Sequence, residues 1–184
     1  MIWNEILCLG DSLTYGARDR YGRSYPAELG KILSEETGEF YICHNYGING
    51  ETSSDLLRRS WSIMKSNTGA QIMCLMIGTN DTKKPMPVDV YTDNLRQIIT
   101  SAKVHGMTPI VATLPALEFS PYYQKNRNYI NIYNSEIEKL SLKLDFILCD
   151  MSDLGGLLID GVHFDNDGYT EIANRFAKTI LGMR

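Results

Sequence analysis

At 184 residues the chain has the length of one domain, 1–184, able to bury a core without metal or disulfide support. Its 43% hydrophobic and 22% charged residues exclude the low-hydrophobicity, highly charged composition of disordered chains. A formal net charge of -4 gives no electrostatic reason to bind nucleic acid or an anionic membrane.

The first apolar run, Ile6 to Leu9, is short and continuous enough for a strand covered on both faces. It ends in Gly10-Asp11-Ser12-Leu13-Thr14, where glycine permits a sharp turn and leaves Ser12 at the mouth of a sheet. A serine there serves as a turn or cap residue, or as a nucleophile; Asp11 beside it closes the turn or touches a substrate. Arg18, Arg20 and Arg23 follow, either as solvated loop charge or as contacts for an anionic part of a substrate.

A helix is predicted from Ser24 or Tyr25, with Pro26 in its first turn, Leu29, Ile32 and Leu33 inward, and Gly38 stopping it. A second strand, Tyr41 to Cys43, leads into Asn45-Tyr46-Gly47-Ile48-Asn49-Gly50, whose two glycines allow close backbone approach. The next helix starts near Ser53 with Leu57, Trp61 and Met64 as its inward stripe. The run Ile72 to Ile77 closes in Gly78-Thr79-Asn80-Asp81, where the Asn80 amide can face the same crevice.

Tyr91, Leu95, Ile98 and Ala102 mark a third helix that ends before Gly106, and a strand over Pro109 to Thr113 follows it. The long segment Leu114 to Asn128 carries Phe119, Tyr122 and Tyr123, rings that line a substrate site or pack a surface loop. A fourth helix over Tyr129 to Leu142 has Ile130, Tyr133, Ile137 and Leu140 as its stripe, and the strand Phe146 to Cys149 comes next. Asp160-Gly161-Val162-His163 precedes a last helix, which begins after Asp167 and buries Ile172, Ala173, Phe176 and Ile180.

Strand and helix alternate along the whole chain, which implies right-handed crossovers and a five-stranded parallel sheet inside a three-layer α/β/α sandwich. In that architecture ligands collect beyond the carboxyl ends of the strands. The loops at those ends supply a serine, candidate hydrogen-bond donors and an acid–histidine pair, the parts acyl transfer requires. Asp150, at the end of the fifth strand, is a second candidate for the acid. Cys8, Cys43, Cys74 and Cys149 sit in or beside the strands and read as reduced core thiols, and His44 and His105 as surface or structural residues. Neither set has metal-ligand spacing, so no metal or cofactor is expected. The longest apolar run falls far short of the ~20 residues that span a bilayer. With no leader pattern in Met-Ile-Trp-Asn-Glu, the reading is cytoplasmic, without stable membrane association.

Gly10-Asp11-Ser12-Leu13, Asn45-x-Gly47-x-x-Gly50, Gly78-x-Asn80-Asp81 and Asp160-x-x-His163 resemble, in order and spacing, the four blocks of the SGNH or GDSL hydrolase family. The resemblance implies a flavodoxin-like sheet, Ser12 as nucleophile, His163 as base and Asp160 as its partner. It also implies an oxyanion hole made from the N–H groups of Ser12 and Gly47 and the side chain of Asn80. Phe164 stands where family members often carry proline or leucine, a difference that concerns packing. The activity implied is hydrolysis of a short-chain acyl ester, such as an O-acetylated carbohydrate. A lysophospholipase or thioesterase, an O-acetyltransferase, and a non-enzymatic flavodoxin-like binding domain are the other readings. The alternating pattern alone fits the last equally well.

Overall fold

The computed structural model describes residues 4–117 and 126–183; Phe119, Tyr122 and Tyr123 lie outside them. Five strands form one sheet: β1 (Asn4–Gly10), β2 (Tyr41–Gly47), β3 (Ala70–Met76), β4 (Thr108–Ala112) and β5 (Ile147–Cys149). Their order is β2-β1-β3-β4-β5, and every pairing is parallel. The helices are α1 (Ser12–Tyr15), α2 (Tyr25–Thr37), α3 (Ser53–Ser66), α4 (Val88–Val104), α5 (Asn128–Leu144) and α6 (Asn166–Leu181).

Successive strand side chains point to opposite faces, so both sheet faces are apolar and each is covered by helices. On one face Leu7, Leu9, Met73, Leu75 and Val111 join the α4 and α5 stripes through Tyr91, Ile98, Tyr133 and Ile137. On the other, Ile6, Cys8, Cys74 and Ile110 meet α2 and α6 through Leu29, Leu33, Ile172 and Phe176. Phe164 is fully buried on this second face, edge-on to Tyr169, so the substitution noted in sequence is a packing feature. Among the described residues no helix is long and apolar enough to cross a membrane.

Several bounds shift by one or two residues, α6 starting at Asn166 behind its cap Asp165 instead of after Asp167, and two differences go further. Strand β2 runs to Gly47, because its register with β1 continues to the Gly10–Gly47 pair; as an edge strand it tolerates His44 and Asn45, which broke the apolar run. On α3 the buried stripe is Leu56, Ser60 and Met64, while Trp61 is 53% exposed. The phase is set at the helix start, where Thr52 and Asp55 form a reciprocal capping box and Ser53 donates N–H and hydroxyl to the Asp81 carboxylate. That anchor turns Leu56 inward and the neighbouring Leu57 to the margin.

The chain leaves β1 for β2 on one side, then returns to β3 on the other, so the carboxyl ends of β1 and β3 diverge around a crevice. Gly47 lies against α1 at this edge, and a Cβ there would stand 2.1 Å from Tyr15 N and 2.6 Å from Thr14 C. Both atoms are backbone and cannot step aside. Gly47→Ala is therefore expected to destabilise the fold by about 3 kcal/mol, read as a Tm drop of roughly 6–12 °C in calorimetry.

Candidate active site

Ser12 opens the four-residue helix α1 directly after β1, and the turn is held by Asp11, whose Oδ1 accepts the Leu13 N–H at 2.9 Å. The Ser12 side chain is almost wholly enclosed. From the opposite end of the chain, Leu158 and Phe164 form an antiparallel bridge that pinches off a short loop containing Asp160 and His163. Asp160 Oδ1 accepts the backbone N–H groups of Val162 at 3.1 Å and His163 at 2.8 Å, an Asx turn that sets both side chains at once.

This loop brings His163 Nε2 to 3.1 Å from Ser12 Oγ, while His163 Nδ1 lies 3.0 Å from Asp160 Oδ2. The three side chains thus form one chain of hydrogen bonds across 151 positions of sequence. Burial works to raise the Asp160 carboxyl, but bonds from the His163 ring, the His163 backbone and Arg18 outweigh it, holding the group well below the usual carboxylate range. These bonds favour the charged carboxylate of Asp160. Asp150, the other acid considered, accepts from Thr113 Oγ1 at 2.7 Å and Ser152 N at 2.9 Å; these bonds commit it to the β4–β5 edge.

Asn80 opens a 3₁₀ turn after β3, and its Nδ2 donates to Glu51 O at 3.0 Å and lies 3.4 Å from Asp11 Oδ2. Glu51 is itself fixed by Arg59, which donates Nε to its carboxylate at 2.8 Å and Nη2 to Tyr46 O at 2.7 Å. A cavity of about 270 Å3 is walled in part by Ser12, Asn49, Gly50, Asn80 and His163.

Gly47 and Asp11 do not border that cavity, and of the two readings of Asp11 the structure matches the turn-closing one. The Gly47 N–H donates to Asn45 Oδ1 at 2.9 Å, and the residue is wedged against α1. Gly50, three residues on with φ +80, borders the cavity in its place. Asp11 is 1% exposed and lies beneath the site, where its Oδ1 caps the Ser12 turn, not in the cavity wall. In sequence Gly50 is signalled only by the paired glycines at 47 and 50, and Lys83 and Arg59 read as solvated surface charge, whereas the structure places Lys83 at the cavity and Arg59 on Glu51 and Tyr46 O.

A family model, the GDSL-like lipase/acylhydrolase family, matches residues 8–170. The chain belongs to this family. Membership makes it a hydrolase of carboxylic esters. An arylesterase of Vibrio mimicus is 25% identical over 181 residues, covering 96% of this chain and 88% of that protein. Among solved structures, an aryl esterase of M. smegmatis superposes with a TM-score of 0.84 at 16% identity, covering 98% of this chain and 100% of the other. An acetylxylan esterase of Geobacillus stearothermophilus gives 0.81 at 22% identity, covering 96% and 94%. At these identities the structural matches establish the shared fold.

The buried Asp11 carboxyl makes stability depend on pH. Burial pushes the Asp11 carboxyl up to about 7, against the Leu13 N–H, which favours the charged form. Below pH ~4 the group is protonated whether folded or unfolded and costs nothing. Between pH ~4 and ~7 the unfolded chain releases a proton that the folded chain retains, so stability falls as pH rises through that window and levels off above it. Asp11→Asn keeps the cap acceptor and removes the titration. Denaturant melts should find the parent losing stability relative to Asp11→Asn from pH 4 to 7, by on the order of 4 kcal/mol at most.

Proposed function

We propose that the protein is a serine esterase that removes short acyl groups, acetyl foremost, from O-acylated small molecules such as carbohydrates, through an acyl-enzyme. The observation that carries this reading is the contact of His163 Nε2 with Ser12 Oγ at 3.1 Å while Asp160 holds the other ring nitrogen. With its proton on Nδ1 and donated to Asp160, the imidazole presents a lone pair at Nε2 to the serine hydroxyl.

Ser12 Oγ attacks the ester carbonyl as its proton passes to His163 Nε2, and the carbonyl π electrons move onto oxygen. Collapse of the tetrahedral intermediate breaks the bond to the alkoxy group, which departs with the proton from His163. Water then attacks the acyl-serine with the roles reversed, releasing the carboxylic acid and restoring the hydroxyl. Ionised Asp160 stabilises the transient imidazolium throughout.

The oxyanion is assigned the N–H groups of Ser12 and Gly50 and the Asn80 amide. Gly50 takes the role first given to Gly47 because its N–H has no hydrogen-bond partner among the described residues and it borders the cavity. Of the two Asn80 amide protons, one is spent on Glu51 O; the long 3.4 Å approach to Asp11 is the one a substrate oxygen replaces. A cavity of about 270 Å3 with polar walls suits an acetyl group better than a fatty chain. The fold shared with an acetylxylan esterase agrees with that class. Four free cysteines suit the reducing cytoplasm.

Purified protein should hydrolyse para-nitrophenyl acetate, and an organophosphonate should add its mass to Ser12 alone; turnover by Ser12→Ala at the parental rate contradicts the assignment. Asn80→Ala should lose about 100- to 1000-fold in kcat while melting cooperatively, since one preorganised donor contributes about 3–4 kcal/mol to the transition state. Parental kcat in that variant would remove Asn80 from the oxyanion hole.

A further inference from the structure

The geometry points to an anionic substrate: a compact negative group, carboxylate or phosphate, tethered beside the scissile ester and held by Arg18 and Lys83. The inference rests on the esterase reading above and narrows its substrate class. Both cations border the cavity that holds Ser12 and His163, and among the described residues no acidic side chain borders it. Asp160 draws on one edge of Arg18, accepting from Nε at 3.0 Å. The terminal nitrogens of that guanidinium have no hydrogen-bond partner among the described residues, which leaves its forked donor edge for a planar or tetrahedral anion.

The backbone at Arg18 supports the same conclusion. Its φ is +74, a left-handed conformation that side chains rarely adopt, and it follows Ala17, whose carbonyl accepts the Tyr169 hydroxyl at 2.6 Å. The chain is thus tied down just before a strained residue, and strain of this kind persists where the surroundings enforce it, chiefly at functional sites. A salt bridge to Asp160 by itself needs only one edge of the guanidinium and no cavity exposure. Lys83 follows Asn80 by three residues on the turn after β3, so a group bound between the cations would lie near the proposed oxyanion donor.

Two matched ester pairs test this. One is meta-acetoxybenzoate against meta-acetoxybenzamide, with the charge on the alcohol side. The other is para-nitrophenyl hemisuccinate against para-nitrophenyl butyrate, with the charge on the acyl side. Each kcat/KM is divided by the hydroxide rate constant of the same ester, and the anionic-to-neutral ratio is read. Both members of a pair share the Ser12 chemistry, so any damage to the catalytic relay cancels. At low salt the ratio should be about tenfold or more in one pair, falling toward unity in about 0.5 M NaCl, where charge attraction is screened. Lys83→Gln should lower it about threefold and the Arg18→Gln/Lys83→Gln double variant should abolish it, with Arg18→Lys retaining part. Ratios near unity in both pairs of the parent, with neutral esters turned over, overturn this inference alone. A high ratio unmoved by the double variant also overturns it. No turnover of any ester overturns the esterase reading and this inference with it.

Discussion

The hydrogen bond from Ser12 to His163 joins the turn after the first strand to the loop before the last helix, 151 positions away. Few contacts in the molecule place so strict a demand on the whole fold, because neither partner loop can shift by an ångström without breaking proton-transfer distance. The parallel sheet meets this demand through its order. Reversal of direction between β2 and β3 opens the crevice, β1 and β3 deliver Ser12 and Asn80 to its two lips, and the chain beyond β5 folds back over the top with His163.

Beneath Ser12 and His163 lies a layer of buried polar side chains linked by hydrogen bonds. Asp11 caps the Ser12 turn, Asp81 holds the start of α3 through Ser53, and Asn94 braces Ser53 in turn at 3.0 Å. Arg59 ties Glu51 to the end of β2, and Glu51 O receives Asn80. These bonds give the loops at the sheet rim fixed positions that apolar packing alone, being non-directional, does not specify. Burial of the Asp11 carboxyl, with no cation paired to it among the described residues, is the stability cost of that arrangement.

What the sequence revealed follows from what is periodic or local. Continuous apolar runs at Ile6, Ile72 and Pro109 mark strands buried on both faces, and the helical stripes read for α4, α5 and α6 are the buried faces of those helices. Asp160 and His163 are readable as a pair because three residues separate them and one Asx turn sets both. Other features depend on side-chain direction or on contacts remote in sequence. Leu56 and Leu57 are chemically identical neighbours, and the choice between them goes with contacts at the helix start that are remote in sequence, Ser53 with Asp81 and with Asn94. Gly47 and Gly50 are two glycines three apart, told apart by tertiary contacts: Gly47 is wedged against α1 with its N–H taken by Asn45, and Gly50 borders the cavity. The Arg18–Asp160 pair spans 142 positions and leaves no local trace.

The proposed relay requires Asp160 to orient and stabilise the His163 imidazole. Steady-state turnover of para-nitrophenyl acetate by Asp160→Asn and Asp150→Asn, assayed side by side with folding checked by calorimetry, tests it most directly. The expected result is a loss of about 1000- to 10,000-fold for Asp160→Asn, with Asp150→Asn within a few-fold of the parent. Collapse of activity in Asp150→Asn with Asp160→Asn near parental would contradict it.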